Sequence, residues 1–330
     1  MYMQEAHYKS NYDRLICDIQ RKPLVLFLGS GIYANLLPTW NELLGSLLDM
    51  ALYKEPSYFE SSLADRKNII NLLHDKNRFT LYEQATLVKY LLGNQYVPVL
   101  QDAIYRDFNM KYPQGVDPGE FALLNAILRL CKNNRVHAAV TYNYDTLLEQ
   151  TINSKAGRKA YSVRGTLQRN IGPEEALPIY HVHGIIPNDH RVPQEAESLI
   201  VLSLDEYFHN MIEPYSWQTT SQLHFMQNYT CLYVGISLGD INMQRLLGFA
   251  KRYIQYNSIY IMRSEESFET QKADASLPRK TKEFIFRSHA SIADSLGVHM
   301  IITGEKHGTV PEKLTQLLKE LDKPHKTKDD

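Results

Sequence analysis

Short apolar runs that end at turn residues recur along the chain, and stretches of helical periodicity separate them. The first run, residues 24–28, is continuously apolar and stops at Gly29. Such a run is typical of a strand that is buried on both faces of a parallel sheet. Further short runs predict the other strands, at residues 136–141, 177–182, 199–202, 231–234, 258–262 and 298–302.

Helix signals lie between these strands. Residues 8–19 carry apolar positions at helical spacing and predict an N-terminal helix. Thr39 and Glu42 form a capping-box pattern, in which each residue satisfies a backbone N–H group of the other, and they predict a helix start. Ser203 and Glu206 repeat that pattern and predict a second start.

The alternation of strands and helices predicts an α/β fold with a Rossmann-like, doubly wound and mainly parallel sheet. Residues 55–133 are helical in pattern with little strand signal, so we expect a smaller helical domain inserted after the first βα unit. The Rossmann-like domain would then comprise residues 23–54 and 134–322. Residues 1–22 would form an N-terminal helix and residues 323–330 a charged tail.

The charge and cysteine content narrow the function classes. The 330 residues carry a net charge of -1, from 36 basic and 37 acidic side chains, which gives no indication of a nucleic-acid-binding face. Cys17, Cys131 and Cys231 lie far apart, so neither a disulfide framework nor a zinc ribbon is predicted. The polar start and the lack of a run of about 20 apolar residues predict a cytoplasmic protein that does not span a membrane. The 22 tyrosines suggest a protein interface.

The glycine-rich segment after the first strand is the first candidate for ligand binding. Residues 29–34 fit the G-x-G-x-x-G/A form, in which glycines let the backbone approach a pyrophosphate and free N–H groups bind its oxygens. A tight turn between strand and helix accounts for the same residues equally well. No acidic ribose-binding residue ends a second strand, so an ordinary dehydrogenase is not indicated.

Two further strand ends carry polar residues. Asn143 and Asp145 follow the strand predicted at 136–141, where such residues more often cap a helix than catalyse a reaction. His181 and His183 stand at alternate positions and would share one face of the sheet, as a metal pair requires. No carboxylate or cysteine stands at a supporting spacing, so no metal site is predicted.

The strand predicted at 231–234 is followed by a turn of small residues and then by a helix whose first residues include an acid. Gly235 and Ser237 form the turn, and Asp240 and Asn242 begin the helix. A capped helix accounts for these residues, and so does a second cradle for a phosphate or a ribose.

Five motifs occur in a fixed order between about residue 24 and residue 303. They are Gly29-Ser30-Gly31 with Pro38-Thr39-Trp40, Thr141-Tyr142-Asn143-Tyr144-Asp145, His183-Gly184, Leu204-Asp205-Glu206-Tyr207 and Gly235-Ile236-Ser237-Leu238-Gly239-Asp240-Ile241-Asn242. Their order and approximate spacing resemble the sirtuin family, in its sirtuin-like branch from prokaryotic antiphage defence. This family has a Rossmann-like sheet with a helical small domain between the glycine loop and the asparagine loop.

The resemblance implies that NAD lies across the strand ends as a substrate. Asn143 would face the nicotinamide ribose and the attacking water, and His183 would be the acid/base residue. Asp145 would hold the carboxamide or brace its loop. The residues expected to contact the rest of the nucleotide are Gly29, Ser30, Gly31, Thr141, Gly235, Ser237, Asp240 and Asn242.

Two differences from protein-deacylating sirtuins make deacylation the less expected activity. The three cysteines cannot form the four-cysteine zinc ribbon of those enzymes, and Leu37 to Trp40 run directly into a helix where deacylases have a flexible loop. The chain is therefore similar to the NAD glycohydrolases that deplete cellular NAD in antiphage defence (abortive infection), with no zinc. The alternatives are an NAD-dependent ADP-ribosyl transferase or deacylase, and a non-catalytic NAD- or ADP-ribose-binding assembly subunit. The resemblance also implies control by homo-oligomerisation or by a partner such as a helicase-type ATPase.

Overall fold

A sheet of seven strands lies at the centre of the part of the protein that the structure describes. The computed structural model describes residues 2–54, 63–73, 75, 78–163, 175–188, 200–254, 257–268, 277–306 and 308–323. The strands are β1 (Leu24–Leu28), β2 (Val136–Thr141), β3 (Ala160–Val163), β4 (Leu177–His181), β5 (Thr230–Val234), β6 (Ile259–Arg263) and β7 (His299–Ile302). They form one sheet in the order β3-β4-β2-β1-β5-β6-β7, and every neighbouring pair is parallel.

Helices accompany this sheet along the described parts of the chain. They are α1 (Tyr2–Arg21), α2 (Trp40–Lys54), α3 (Leu63–Leu73), α4 (Leu81–Leu92), α5 (Tyr96–Lys111), α6 (Ala122–Cys131), α7 (Leu147–Ser154), α8 (Leu204–Ile212), α9 (Trp217–Asn228), α10 (Ile241–Tyr253), α11 (Arg279–Ser295) and α12 (Thr309–Leu321). A short 3-10 turn, Ser30–Tyr33, follows β1. None of the helices in the described ranges is long and apolar enough to cross a membrane.

Strand β1 shows why the fold is a buried parallel sheet. Leu24, Leu26 and Leu28 belong to the hydrophobic core on one face of the sheet, and Val25 and Phe27 belong to the core on the other face. All five side chains are fully buried. A continuous apolar run is what a strand covered by helices on both faces requires. The predicted α/β class and doubly wound, Rossmann-like sheet are therefore confirmed.

Most of the predicted strands are confirmed, but two positions differ. β1 and β2 match their predictions, and β4 to β7 match within one residue at each end. The strand predicted at 199–202 is wrong for residues 200–202, which are irregular; residue 199 lies outside the described residues. These three residues are apolar because they are buried beside the sheet. β3 was not predicted because only its two end residues are buried, so it has no apolar run.

The two predicted capping boxes are confirmed. The backbone N–H of Thr39 donates to Glu42 Oε2 at 2.7 Å, and that of Ser203 donates to Glu206 Oε2 at 2.8 Å. The described part of residues 55–133 forms helices α3 to α6, of which α4 and α5 pack on α2, and α6 packs on α12 and β2. Residues 55–62 and most of the predicted tail, 324–330, lie outside the described residues.

The strand order places a crevice at β1. This strand pairs with β2 on one side and with β5 on the other, so the loops that follow β1 and β5 leave the sheet side by side. In open parallel sheets, ligands bind at the carboxyl ends of the strands where the strand order reverses. The loops after β1, β2, β4 and β5 meet at this edge.

Candidate active site

A cleft of about 580 Å³ opens at the carboxyl edge of the sheet. Its volume is within the usual range for small-molecule sites, roughly 300–1,000 Å³. The predicted site residues that line it are Gly29, Ser30, Asn143, Asp145, His183, Gly235, Ser237 and Asp240. Gly31, Thr141 and Asn242 are not among its lining residues. Four separate loops thus bring most of the predicted site together.

The glycines after β1 and β5 are required by the contact between these two loops. The N–H of Gly29 donates to Val234 O at 3.2 Å, and the N–H of Gly31 donates to Gly235 O at 3.1 Å. A Cβ atom on Gly31 would lie 2.8 Å from Gly235 Cα. Gly235 has a φ of 69°, and a Cβ there would lie 2.6 Å from the nitrogen of Ile32. The N–H groups of Gly29 and Gly31 are therefore occupied within the protein, and contact of these residues with a nucleotide stays a prediction.

Asn143 has hydrogen-bonding capacity that the protein does not use. Its backbone N–H donates to Thr141 Oγ1 at 3.1 Å, which braces the turn after β2. The side chain is buried, and its Nδ2 atom has no hydrogen-bond partner. Because buried polar groups are almost always paired, an unpaired amide beside a cleft indicates a ligand that completes it.

His183 follows the end of β4 and lies among aromatic rings. Its ring centroid is 5.0 Å from that of Tyr142, 6.5 Å from that of Tyr144 and 5.7 Å from that of Tyr207. Burial lowers the pKa of His183 from its ordinary value, and the carboxylate of Asp240 opposes this shift only in part. The imidazole is therefore neutral at pH 7, which is the form that accepts a proton.

Asp240 connects the start of α10 to His183. Its Oδ1 accepts from the backbone N–H of Met243 at 2.7 Å and so caps α10. Its Oδ2 accepts from the hydroxyl of Tyr207 at 2.6 Å and lies 3.7 Å from His183 Nε2. Asp240 is thus the anionic group nearest to the imidazole among the ion pairs of the described residues.

Asp145 is buried at the start of α7. Its Oδ1 accepts from the backbone N–H of Leu147 at 2.9 Å. Burial raises the pKa of this carboxyl to about 6; the hydrogen bond from Leu147 opposes the rise, and nearby Glu149 adds to it. A side chain in this setting braces its loop, as one of the two predicted roles requires. Contact with a carboxamide stays a prediction.

The raised pKa of Asp145 predicts a pH-dependent stability. A carboxyl whose pKa is higher in the folded state binds a proton more tightly there, and this stabilises the folded protein. The stabilisation is complete below the ordinary pKa of 3.8 and is lost as the pH rises through about 6. We expect the unfolding free energy of the wild type, relative to Asp145→Asn, to fall by roughly 2 kcal/mol between about pH 4 and about pH 7. Denaturant titrations of both proteins across this range measure the difference. A constant difference would contradict the assignment.

His183 lies in the turn beyond β4 and is not part of the strand that ends at His181. β4 ends at His181, and the chain turns at Gly184, which has a φ of 94°. The Nε2 atom of His181 lies 3.0 Å from Glu149 Oε1, which also accepts from the hydroxyl of Ser162 at 2.6 Å. The same-face prediction assumed that both histidines belong to the strand, and this assumption is wrong, since the alternation of a strand does not apply to a residue in a turn. Within the described ranges, no group of three or more His, Cys, Asp and Glu side chains could hold a metal ion.

The loop after β5 offers further polar atoms. Ser237 Oγ accepts from the N–H of Gly239 at 3.2 Å, which orders the turn. Both side-chain polar atoms of Asn242 are buried and have no hydrogen-bond partner. Asn242 stands in the first turn of α10, whose N-terminus favours anions. The unpaired amide of Asn242 could hydrogen-bond to a polar ligand or a water molecule at the start of α10.

Aromatic side chains form much of the remaining wall of the cleft. They are Tyr33, Trp40, Tyr82, Tyr142, Tyr144 and Tyr207. Trp40 stacks on Tyr144 with ring centroids 6.5 Å apart. The high tyrosine content suggested an interface, and these residues were not predicted from the sequence to be part of the site. The tyrosines on either side of Asn143 were the available signal.

Comparison with known proteins identifies the family of this chain. The family model for the SIR2-like domain matches residues 137–318, which is more than half of the chain. The chain belongs to the SIR2-like family. The matched segment contains Asn143, His183, Ser237 and Asp240, and it begins after the glycine loop of β1. SIR2-like membership implies NAD binding, as its members are NAD-dependent enzymes. No curated protein matches the chain.

Proposed function

We propose that this SIR2-like protein is an NAD glycohydrolase that cleaves NAD to nicotinamide and ADP-ribose. One observation carries the proposal. A buried Asn143 with an unpaired amide and a neutral, buried His183 line the same cleft. An amide can hold a water molecule or a ribose hydroxyl, and a neutral imidazole can take up a proton.

The residues present fit an extended dinucleotide. The cleft runs from the loop after β4 to the loops after β1 and β5 and has a volume of about 580 Å³. Unpaired buried amides occur at Asn143 and at Asn242. We propose that the nicotinamide ribose lies beside Asn143 and that Ser30 and Ser237, which line the cleft, contact the phosphates and the adenosine ribose. Asn242 lies behind this lining and would contact the nucleotide only through a water molecule or after a shift of the loop after β5.

Departure of nicotinamide needs little catalytic help from the protein. Nicotinamide leaves with the electron pair of the glycosidic bond, which neutralises its ring, so no acid is needed. A water molecule attacks the anomeric carbon of the ribose and loses a proton. In our proposal Asn143 positions this water, and His183 takes up the proton and releases it to solvent. Proton transfer by such a group is worth roughly 100- to 10,000-fold in rate, and the fixed position of the bound ribose adds to it.

The cysteine content favours hydrolysis over deacylation in this proposal. The chain has three cysteines, fewer than the four of a zinc ribbon. Cys131 and Cys231 are buried, and Cys17 is exposed. Burial raises the pKa of the Cys131 thiol to about 12, so it is protonated and a poor metal ligand.

We further propose that the reaction depletes NAD in antiphage defence and that it is controlled from outside the active site. An NAD hydrolase that was always active would kill its host. Homo-oligomerisation and a separate partner such as a helicase-type ATPase are the two forms of control that we propose. Activity across a range of protein concentrations, together with the mass of the protein in solution, separates them.

Nicotinamide release tests the proposed reaction. We expect the purified protein to convert NAD to equal amounts of nicotinamide and ADP-ribose, as followed by chromatography. A calorimetric titration with NAD provides the control for binding. Binding without release by the protein alone would point to control by a partner, and the assay is then repeated with neighbouring gene products. Binding without release in their presence as well would contradict hydrolysis and favour a non-catalytic assembly subunit. Transfer of labelled ADP-ribose to a protein would favour a transferase.

A further inference from the structure

Asp240 is placed differently from a residue that binds a nucleotide. Both of its carboxylate oxygens already accept hydrogen bonds within the protein, from the Met243 N–H and from the Tyr207 hydroxyl. Its side chain is mostly buried. A carboxylate repels a phosphate, which carries the same charge. The oxygen that Tyr207 holds is also the one that faces His183 Nε2 at 3.7 Å.

The helix that carries Tyr207 is firmly attached to α4. Lys89 of α4 forms ion pairs with Glu206 at 2.7 Å and with Asp205 at 3.0 Å. The ring of Tyr207 packs edge-on against Tyr82 of α4, with centroids 4.5 Å apart. These contacts fix the position of the Tyr207 hydroxyl and therefore the direction of its hydrogen bond.

The tyrosines around His183 are neutral at pH 7. Tyr142 and Tyr144 approach it from the end of β2 and Tyr207 approaches it from α8, and burial raises the pKa of each phenol well above its ordinary value. Asp145 lines the same cleft and is ionised at pH 7, since its pKa is about 6, but its Oδ1 accepts from the Leu147 N–H. The pKa of His183 is raised by Asp240 and not by Asp145. Asp240 is thus the charge that acts on the imidazole among the described residues.

We propose that Tyr207 and Asp240 are positioning residues, in which the Tyr207 hydroxyl holds Asp240 beside His183, and Asp240 orients the imidazole and stabilises the proton that it takes up. The proton arrives from the attacking water, resides on His183 opposite the carboxylate, and leaves to solvent after the products. The kinetic part of this inference rests on the proposed function; the electrostatic part does not.

Histidine NMR tests the electrostatic part without any turnover. The chain has 12 histidines, and a spectrum of His183→Gln with labelled ring carbons identifies the resonance of His183. We expect Asp240→Asn to lower the pKa of His183, because it removes the opposing negative charge, while asparagine still caps α10. Tyr233→Phe is the matched control, since the hydroxyl of Tyr233 is buried without a partner. An unchanged midpoint in Asp240→Asn would overturn the inference.

Kinetic measurements test whether Tyr207 acts on His183 through Asp240. We expect Asp240→Asn and Tyr207→Phe each to lower kcat on the order of 10-fold with little change in KM, as for coupled residues of one network. The double variant should be no slower than Asp240→Asn alone, because Tyr207 acts only through Asp240. If the two variants lower kcat additively, or raise KM with an unchanged kcat, Tyr207 does not act through Asp240.

The two proposals can fail separately. If the wild type releases no nicotinamide even with neighbouring gene products but Asp240→Asn lowers the pKa of His183, the proposed function fails and the coupling stands. If the wild type is active and Asp240→Asn changes only KM, the proposed function stands, and Asp240 is a nucleotide contact as the family resemblance implies.

Discussion

Replacement of His183 by alanine is expected to lower nicotinamide release by about 100- to 10,000-fold, the usual contribution of a general base. The fold should persist, because the ring lines the cleft and its removal opens space that joins the cleft. Asn143→Ala should reduce the rate similarly, since it removes the unpaired amide that we assign to the water. Turnover at saturating NAD and a thermal unfolding curve measure the two effects.

A matched histidine provides the control for this experiment. His209 on α8 has a side chain that is 75% exposed and pairs only loosely with Glu213, at 3.7 Å. His209→Ala should therefore retain the turnover of the wild type. If His183→Ala also retains it in a folded sample, the assigned role of His183 is wrong. If His183→Ala is unfolded, His183→Gln with intact NAD binding replaces it.

The second large effect is expected from Gly235→Ala. A Cβ atom there would lie 2.6 Å from the nitrogen of Ile32 and 2.9 Å from its Cγ2 atom, and the residue has a φ of 69°. We expect a loss of about 2–4 kcal/mol in the free energy of unfolding, from left-handed strain and from separation of the two loops. NAD binding should weaken in parallel, because Gly235 and Gly29 line the cleft.

Gly248→Ala is the control for this substitution. Gly248 lies within α10, and a Cβ atom there meets nothing within 4 Å. Alanine in an open helical position stabilises a protein by roughly 0.5–1 kcal/mol. Denaturant titration of the two variants should therefore give shifts of opposite sign. Equal effects would show that the contact between the loops does not decide the stability of this region.

Much of the sheet could be predicted because its strands are buried on both faces. A short, continuous apolar run between turn residues, such as residues 24–28, is typical of a strand in this setting, and β1 and β2 were predicted at their observed bounds. The approximate position of the site followed from the polar residues at the strand ends. Asn143 and His183 lie 40 positions apart, and the parallel arrangement of β2 and β4 brings them into one cleft.

The remaining features depend on contacts between distant residues. The amide of Gly31 is occupied by Gly235, and no local pattern could show that these loops touch. The approach of Tyr207 to Asp240 depends on how α8 lies against α10. Residues 200–202 show the reverse case, since they are as apolar as a strand but are buried as an irregular segment.

The central position of β1 has a consequence for the unit of folding. The segment matched as SIR2-like, residues 137–318, begins after β1, yet this strand separates β2 from β5. Without it, both of those strands would expose a row of unpaired backbone N–H and C=O groups. The matched segment is thus not a self-contained unit. Residues more than 200 positions apart must pair before the sheet closes, as Leu24 does with Thr230, and such long-range pairing makes folding slow.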